Sequence, residues 1–446
     1  MVIGAGISGL VCAHALKKRG VETLVLEASP RAGGVIQSER RDGFLLELGP
    51  QSFNVTAPVM ILARELQIDT QLVAAPHRAP RYVLINGKLR RVPLSPPAFF
   101  SSSLAGMKTK WRVVSDIIGH SAPPEDDESL ANFVRRKFSA ELLEKLVGPF
   151  VSGIYAGDPE RLSLRSAFPQ LYEAEKSAGS VIRGSLRAVK TDGAPTERPS
   201  LQTFRDGNQT LVDALARGLG ANLRCGIEVQ SVSLSGPGSS TVQFEITALS
   251  DGRTETFEAE RLIVATNASR AGMLLGGIDA RFEEILQAME YAPVAVVSLG
   301  YKRTAVGHSL NGFGFLAPRS SGLRVLGTVW NSSLFPDRAP KGQVLLTSFV
   351  GGVTDPGVIS LSAGELVALA YRELAPVLKF SQAPTFSYVH KYETAIPQLN
   401  VGHGTRLAEL EQIRTKYPTL RFVGNYLGSP AIGPCIERAV AIASGL

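Results

Sequence analysis

The sequence predicts a fold of mixed α/β and α+β character: an α/β part, a mixed-sheet part and a helical insertion. Three observations lead there. A glycine-rich turn sits between two short apolar strands near residue 1. Residues 93–200 carry helical spacing along most of their length, and residues 290–350 are dominated by apolar runs of strand length. The 446 residues, 44% hydrophobic and 20% charged, exclude wholesale disorder. At roughly 100–200 residues per domain the length suggests about two to four domains. The 44 glycines and 27 prolines follow no collagen period. No run of about 18 apolar residues predicts a membrane-spanning helix, although a mean hydropathy of +0.09 is apolar for a soluble chain.

Charge and cysteine content narrow the function classes. Cys12, Cys225 and Cys435 are odd in number and far apart, which argues against a disulfide framework or a zinc cluster and fits a reducing compartment. The six histidines form no H-x-x-x-H pair, so no metal site is expected. A net charge of +7 favours acidic partners: an anionic membrane or a polycarboxylate substrate. No nucleic-acid-binding signature accompanies it, so nucleic acid is not expected as a partner.

The chain start is the most informative stretch. Gly4-Ala5-Gly6-Ile7-Ser8-Gly9 follows the apolar pair Val2 and Ile3. Leu10, Ala13, Leu16 and Val21 then take helical spacing, and Gly20 closes that helix. Leu24, Val25 and Leu26 form a second strand ending at Glu27, 18 positions after Gly9. This is a βαβ unit with a dinucleotide-binding fingerprint. Gly4 permits the tight turn, Gly6 admits a pyrophosphate to the backbone amides, and Gly9 allows close helix–strand packing. The helix N-terminus stabilises the anion. Glu27 can accept hydrogen bonds from ribose hydroxyls and disfavours a 2′-phosphate. Only three residues precede the motif, fewer than a usual strand, so native residues are expected ahead of Met1.

Further along, Ala28-Ser29-Pro30-Arg31-Ala32-Gly33-Gly34 supplies a second glycine pair, either another close approach to a ligand or a plain turn. Residues 43–53 read as a short strand and turn. Residues 82–92 read as a hairpin about Asn86-Gly87. Phe100, Leu104, Met107, Trp111, Val114 and Ile118 make one amphipathic stripe over 99–119. It reads first as a core-facing helix; an interfacial membrane helix, flanked by Lys108, Lys110 and Arg112, is the alternative. Residues 121–129 read as a solvated linker, and Arg135, Arg136 and Lys137 as a wet helix face. Residues 190–200 look like a boundary loop and 235–240 like a hairpin loop. A helix over Leu211, Leu215 and Leu219, a strand at 227–232, a strand at 262–266, and a closing strand and helix from Phe422 and Ile436 complete the reading. Gly312-Phe313-Gly314-Phe315-Leu316-Ala317 fits G-x-G-x-x-A but runs into Pro318, so it is no second nucleotide site, and neither is Gly236-Pro237-Gly238.

Glu27, Arg31, Gly33 and Gly34 match the continuation E-x-x-x-R-x-G-G, and here the sequence resembles the FAD-binding flavoenzymes of the amine oxidase type. That resemblance implies non-covalent FAD rather than NAD and a Rossmann-like FAD domain assembled from discontinuous segments. It sets 1–77, 201–272 and 401–446 as FAD-binding, 78–92 and 273–400 as substrate-binding, and 93–200 as a helical, membrane-associating insertion. Gly49-Pro50-Gln51-Ser52-Phe53, 149–159 (PFVSGIYAGDP), 334–340 (LFPDRAP), 348–352 (SFVGG) and 395–403 (AIPQLNVGH) resemble the protoporphyrinogen oxidase family over nearly the whole chain. The resemblance implies six-electron oxidation of a tetrapyrrole with oxygen as acceptor, in haem or chlorophyll biosynthesis. The flavin carries that chemistry, so no catalytic side chain is assigned. A homodimer and peripheral membrane contact are carried as further partners. Location would be cytoplasmic or peripheral to the membrane in a bacterium, and at a mitochondrial or plastid membrane in a eukaryote.

Carried over residue by residue, Arg81 falls where the family pairs a substrate propionate; a guanidinium suits a carboxylate, though a surface arginine is the plain alternative. Leu316, Val329 and Phe349 match an apolar sandwich about the pyrrole rings, or ordinary core. Gly153 matches a glycine whose carbonyl faces pyrrole N–H groups. Gly49 to Ser52, Ala265, and Pro430, Ala431 and Ile432 match flavin contacts, and Val229 a backbone contact to adenine. Ser429-Pro430 and Gly404 depart from the family pattern near the flavin. Rival readings are a coproporphyrinogen oxidase of the same fold, an amine or carotenoid oxidase with Tyr426 as its lone cage aromatic, and a flavin-bearing membrane scaffold without turnover.

Overall fold

The structure is a computed structural model; it describes residues 1–191, 201–235 and 244–446. Most of the 190–200 boundary loop, most of the 235–240 hairpin loop and the Gly236-Pro237-Gly238 motif fall outside the described residues. The expected βαβ unit is present: Val2–Ile3, the helix Ile7–Lys18, then Val25–Glu27. These strands join a parallel five-stranded sheet in the order Leu223–Cys225, Val25–Glu27, Val2–Ile3, Leu262–Val264, Leu420–Phe422. Successive side chains point to opposite faces of a strand, so both faces are apolar and must be covered. Val2, Val25 and Ile263 pack against the helices Ile7–Lys18, Gln209–Leu219 and Ile432–Ser444. Ile3, Leu26, Leu262 and Val264 pack on the other side against Ala268–Leu275, Ala280–Gln287 and the antiparallel sheet Ile227–Leu234, Phe244–Ser250, Arg253–Ala259.

A second, mixed sheet of seven strands runs in the order Phe386–Pro397, Tyr291–Lys302, Gln343–Gly351, Val325–Val329, Gly314–Leu316, Arg81–Ile85, Lys88–Arg91. Its last two strands are the expected hairpin. Asn86 at φ 50° and Gly87 at φ 71° make the turn, the left-handed pair that a two-residue hairpin requires. One face of the sheet packs on the helix Ala363–Leu378, which opens with a Ser362–Glu365 capping box.

Between 93 and 191 the chain is helical, as expected, but two local readings are overturned. The stripe over 99–119 is not one core-facing helix. It breaks into Pro96–Ser101 and Met107–Ile118, and the second helix is inverted. Thr109 and Asp116 are buried, whereas Met107, Trp111 and Ile118 are 68%, 67% and 77% exposed. The polar face turns inward because it has partners: Thr109 donates to Glu141, and Asp116 pairs with Lys137 at 2.6 Å and accepts from Ser180. Arg135, Arg136 and Lys137 are therefore not one wet face. Lys137 is buried against Asp116, and Arg136 holds both Glu128 and the fully buried Glu175.

Candidate functional site

The glycine turn has the shape of an anion cradle. A Cβ on Gly9 would lie 2.0 Å from the Gly4 carbonyl oxygen, and one on Gly4, at φ +102°, would lie 2.9 Å from the Ala265 carbonyl. A Cβ on Gly6 would meet nothing within 4 Å. The two outer glycines are thus packing requirements, and the middle one faces open space. The helix Ile7–Lys18 starts there with no side-chain cap and no acid in its first turn, which leaves the N–H groups of Ile7 and Ser8 to a ligand.

The other cofactor candidates gather around this turn. Gly33 bridges to Gly6, and its N–H donates to the Ala5 carbonyl. The Glu27 carboxylate accepts from the Ala5 N–H at 2.7 Å and from the Ser29 N–H and hydroxyl, so it orients the turn before it meets any ribose. Ala28 follows it at the exposed strand end. Arg31 donates to the carbonyls of Ala32, Gly34 and Ile36 and so braces the Gly33-Gly34 turn. Val229 packs with Ile3 and Leu26, and its carbonyl accepts from Arg270 at 2.6 Å. Pro430, Ala431 and Ile432 lead into the uncapped N-terminus of the helix Ile432–Ser444, a second open helix end whose Gly433 lies against the Asn54 carbonyl. Two helix N-termini, the Gly6 opening and the acid at Glu27 fit the pyrophosphate and ribose of a dinucleotide such as FAD.

The loop from Gly49 to Ser52 is locked from three directions. Gln51 is buried and donates to the carbonyls of Glu47 and Gly49, while its carbonyl oxygen accepts from Asn331 at 2.6 Å. The Pro50 carbonyl accepts from Asn208. Beneath it Glu47 and Arg338, each 2% exposed, pair at 3.2 Å. Ser38 and the Asn208 N–H also donate to Glu47, and burial nevertheless pushes its carboxyl up to about 7. This pair, not foreseen from the sequence, ties the 38–47 hairpin, the 203–208 segment and the 334–340 stretch into one block.

The substrate candidates share one face of the seven-stranded sheet. Directly paired residues lie on the same face, as do residues two apart on one strand. Arg81 pairs with Gly314, Gly314 with Val329, and Val329 with Thr347. Two residues along, Val83 pairs with Leu316, Leu316 with Gly327, and Gly327 with Phe349. Arg81, Leu316, Val329 and Phe349 therefore face the same side, opposite the helix Ala363–Leu378. The helix Gly148–Tyr155 lies over this face, and a Cβ on Gly153 would come 2.4 Å from Leu316. Arg81 opens onto a cavity of about 1180 Å³ that is also lined by Arg78, Arg90, Arg91 and Phe313.

Two further rings on this face were missed. The second row continues through Val296 to His390, and Tyr392 lies two residues on, with ring centroids 4.4 Å apart. Burial lowers the His390 pKa and raises that of Tyr392 to about 12; the Tyr392 hydroxyl donates to the Val35 carbonyl. A strand pattern of alternating aromatics at Tyr388, His390 and Tyr392 was the available signal. Tyr426, the lone cage candidate of the rival amine oxidase reading, is fully buried.

This assembly can be set beside known proteins. A family model described as flavin containing amine oxidoreductase matches residues 7–444. The chain belongs to that family. It is an oxidoreductase of the flavin-dependent type. The chain is 35% identical over 468 residues to "Protoporphyrinogen oxidase, chloroplastic" of Nicotiana tabacum, covering 100% of this chain and 84% of that protein. It is 31% identical over 468 residues to "Coproporphyrinogen III oxidase" of Bacillus subtilis (strain 168), covering 100% and 97%. The fold matches the crystal structure described as "Putative protoporphyrinogen oxidase from Exiguobacterium sp. 255-15", with a TM-score of 0.81, 22% identity and coverage of 100% and 97%. Among the described residues no helix is long and apolar enough to cross a membrane.

Proposed function

We propose that the protein oxidises protoporphyrinogen IX to protoporphyrin IX, removing six electrons with non-covalent FAD and oxygen, in the formation of haem or chlorophyll. One observation carries the reading: a single sheet face presents a cation at its edge and apolar Leu316, Val329 and Phe349 further in, under a glycine on a covering helix. A porphyrinogen has that polarity, with carboxylates on one margin and an apolar body.

Bound FAD would accept hydride equivalents and pass them to oxygen. The chain's own residues would bind and orient. Arg81 would hold a propionate, Leu316, Val329 and Phe349 would flank the pyrrole rings, and the helix bearing Gly153 would exclude water from that face. Gly4 to Gly9, Glu27, Ala28, Arg31, Gly33, Gly34, Val229, Ala265, the loop from Gly49 to Ser52 and residues 430–432 would hold the cofactor. Non-covalent attachment is supported by the buried thiols Cys12 and Cys435, whose pKa values burial raises, that of Cys12 to about 12. The exposed Met107, Trp111 and Ile118, with Lys108 and Arg112 beside them, support contact with an anionic membrane surface.

The test is anaerobic flavin bleaching of purified holoprotein by protoporphyrinogen and coproporphyrinogen in parallel. Bleaching by a porphyrinogen is expected. Intact bound FAD that neither substrate reduces sinks the reading and favours the amine or carotenoid rivals.

A further inference from the structure

The register of the hairpin places a second arginine beside Arg81. Val83 pairs with Arg90 across the Asn86-Gly87 turn. Arg90 therefore extends the row Val83, Leu316, Gly327, Phe349, Val296, His390 by one strand, on the same face. Arg81 and Arg90 are diagonal neighbours, with Cα atoms about 7–8 Å apart. Both line a cavity of about 1180 Å³ at this edge of the sheet, together with Arg78 and, from the opposite face, Arg91; Leu316, Val329 and Phe349 lie outside its lining, which contains no Asp or Glu. Among the described residues no carboxylate pairs with any of these four arginines. The Arg81 guanidinium instead sits 5.4 Å from the centre of the Phe313 ring.

The charge is one-sided. Moving inward from that edge, the face carries Val83, Leu316, Val329, Phe349 and Val296. At the far end stand His390, which burial biases to the neutral form, and two cations that are already engaged. Arg31 is bound by three backbone carbonyls, and Arg41 is paired with Glu39. Two adjacent carboxylates at one margin of a tetrapyrrole would meet Arg81 and Arg90. Carboxylates on the opposite margin would be carried over apolar side chains toward cations that, among the described residues, already have partners, which is costly.

We propose that Arg90 acts with Arg81 as a two-guanidinium clamp for both acid groups of the substrate, and that its one-sided placement selects a dicarboxylate porphyrinogen over a tetracarboxylate one. The proposal rests on the porphyrinogen reading above and decides between its two candidate substrates. Arg90 is an anchoring residue and takes no part in electron transfer.

The experiment compares wild-type holoenzyme with Arg90→Gln, each given protoporphyrinogen, its dimethyl ester and coproporphyrinogen. Arg90 is exposed on the edge strand Lys88–Arg91, so the variant should fold and keep its flavin. Wild type should favour protoporphyrinogen over coproporphyrinogen in kcat/KM by on the order of 100-fold. It should also favour the free acid over the ester by roughly 10- to 100-fold, and Arg90→Gln should lose most of that acid-over-ester preference through KM, with kcat little changed. An unchanged acid-over-ester ratio in the variant removes Arg90 from the clamp. Equal or better use of coproporphyrinogen by wild type overturns the one-sided selection. If wild type is reduced by none of the three, the porphyrinogen reading itself fails, and the clamp fails with it.

Discussion

Replacing Arg338 by methionine removes the cation from the Glu47–Arg338 pair while keeping much of the side-chain volume. Both partners are 2% exposed, and Arg338 also donates to the Thr203 hydroxyl at 2.8 Å and the Phe204 carbonyl at 3.0 Å. Removing one member of a buried pair costs about 3–5 kcal/mol, because the other charge is left without its partner. At about 2.1 cal/mol/K per residue, a chain of 446 residues that unfolds as one unit loses roughly 4 °C in Tm for a deficit in the middle of that range. The pH dependence separates this cause from simple loss of packing. Burial already holds the folded Glu47 carboxyl at about 7, above its ordinary 4.5. A raised carboxyl pKa means the folded state binds more protons, so this group's stabilisation is full at low pH and is lost as pH rises toward the folded value. In wild type that loss ends near pH 7. Without Arg338 the carboxyl rises further and the loss continues above pH 7. The gap between wild type and Arg338→Met should therefore widen between pH 6 and pH 8.5, as read by thermal melts at each pH. The double variant Glu47→Gln with Arg338→Met should recover most of the deficit. A gap below about 1 kcal/mol at pH 8.5, or one that does not change with pH, would refute the reasoning.

Other substitutions probe the site directly. Gly6→Val should give colourless protein with near-normal secondary structure, because a Cβ there meets no protein atom; normal flavin content would remove the cradle reading. Gly9→Ala, whose Cβ would lie 2.0 Å from a carbonyl oxygen, should instead lower Tm, and an unchanged melt would contradict that packing. Trp111→Glu should weaken sedimentation with anionic vesicles at unchanged Tm, since Trp111 is 67% exposed; undiminished binding would place the membrane contact elsewhere. Lys137→Met should cost about 3–5 kcal/mol by stranding Asp116, whereas Lys108→Met should cost under about 1 kcal/mol, and equal costs would refute the burial argument.

The sequence by itself determined what depends on neighbours along the chain. The glycine spacing, the apolar pairs flanking it and the acid at Glu27 specify a βαβ unit, because turn sterics and strand alternation act over a few residues. Asn86-Gly87 likewise determined a hairpin, and in principle its pairing of Val83 with Arg90. What Arg90 stands beside was decided only by the tertiary structure: the row from Arg90 to His390 crosses seven strands drawn from residues 81–91 and 291–397, and no local pattern sets that order. The same holds for the helix Met107–Ile118. Its apolar stripe points to the core by periodicity alone, but Lys137, Glu141 and Ser180 supply partners for the buried Asp116 and Thr109, and the helix turns its polar face inward to meet them. An unpaired buried charge costs more than an exposed indole, so side-chain partners distant in sequence decide which face is covered.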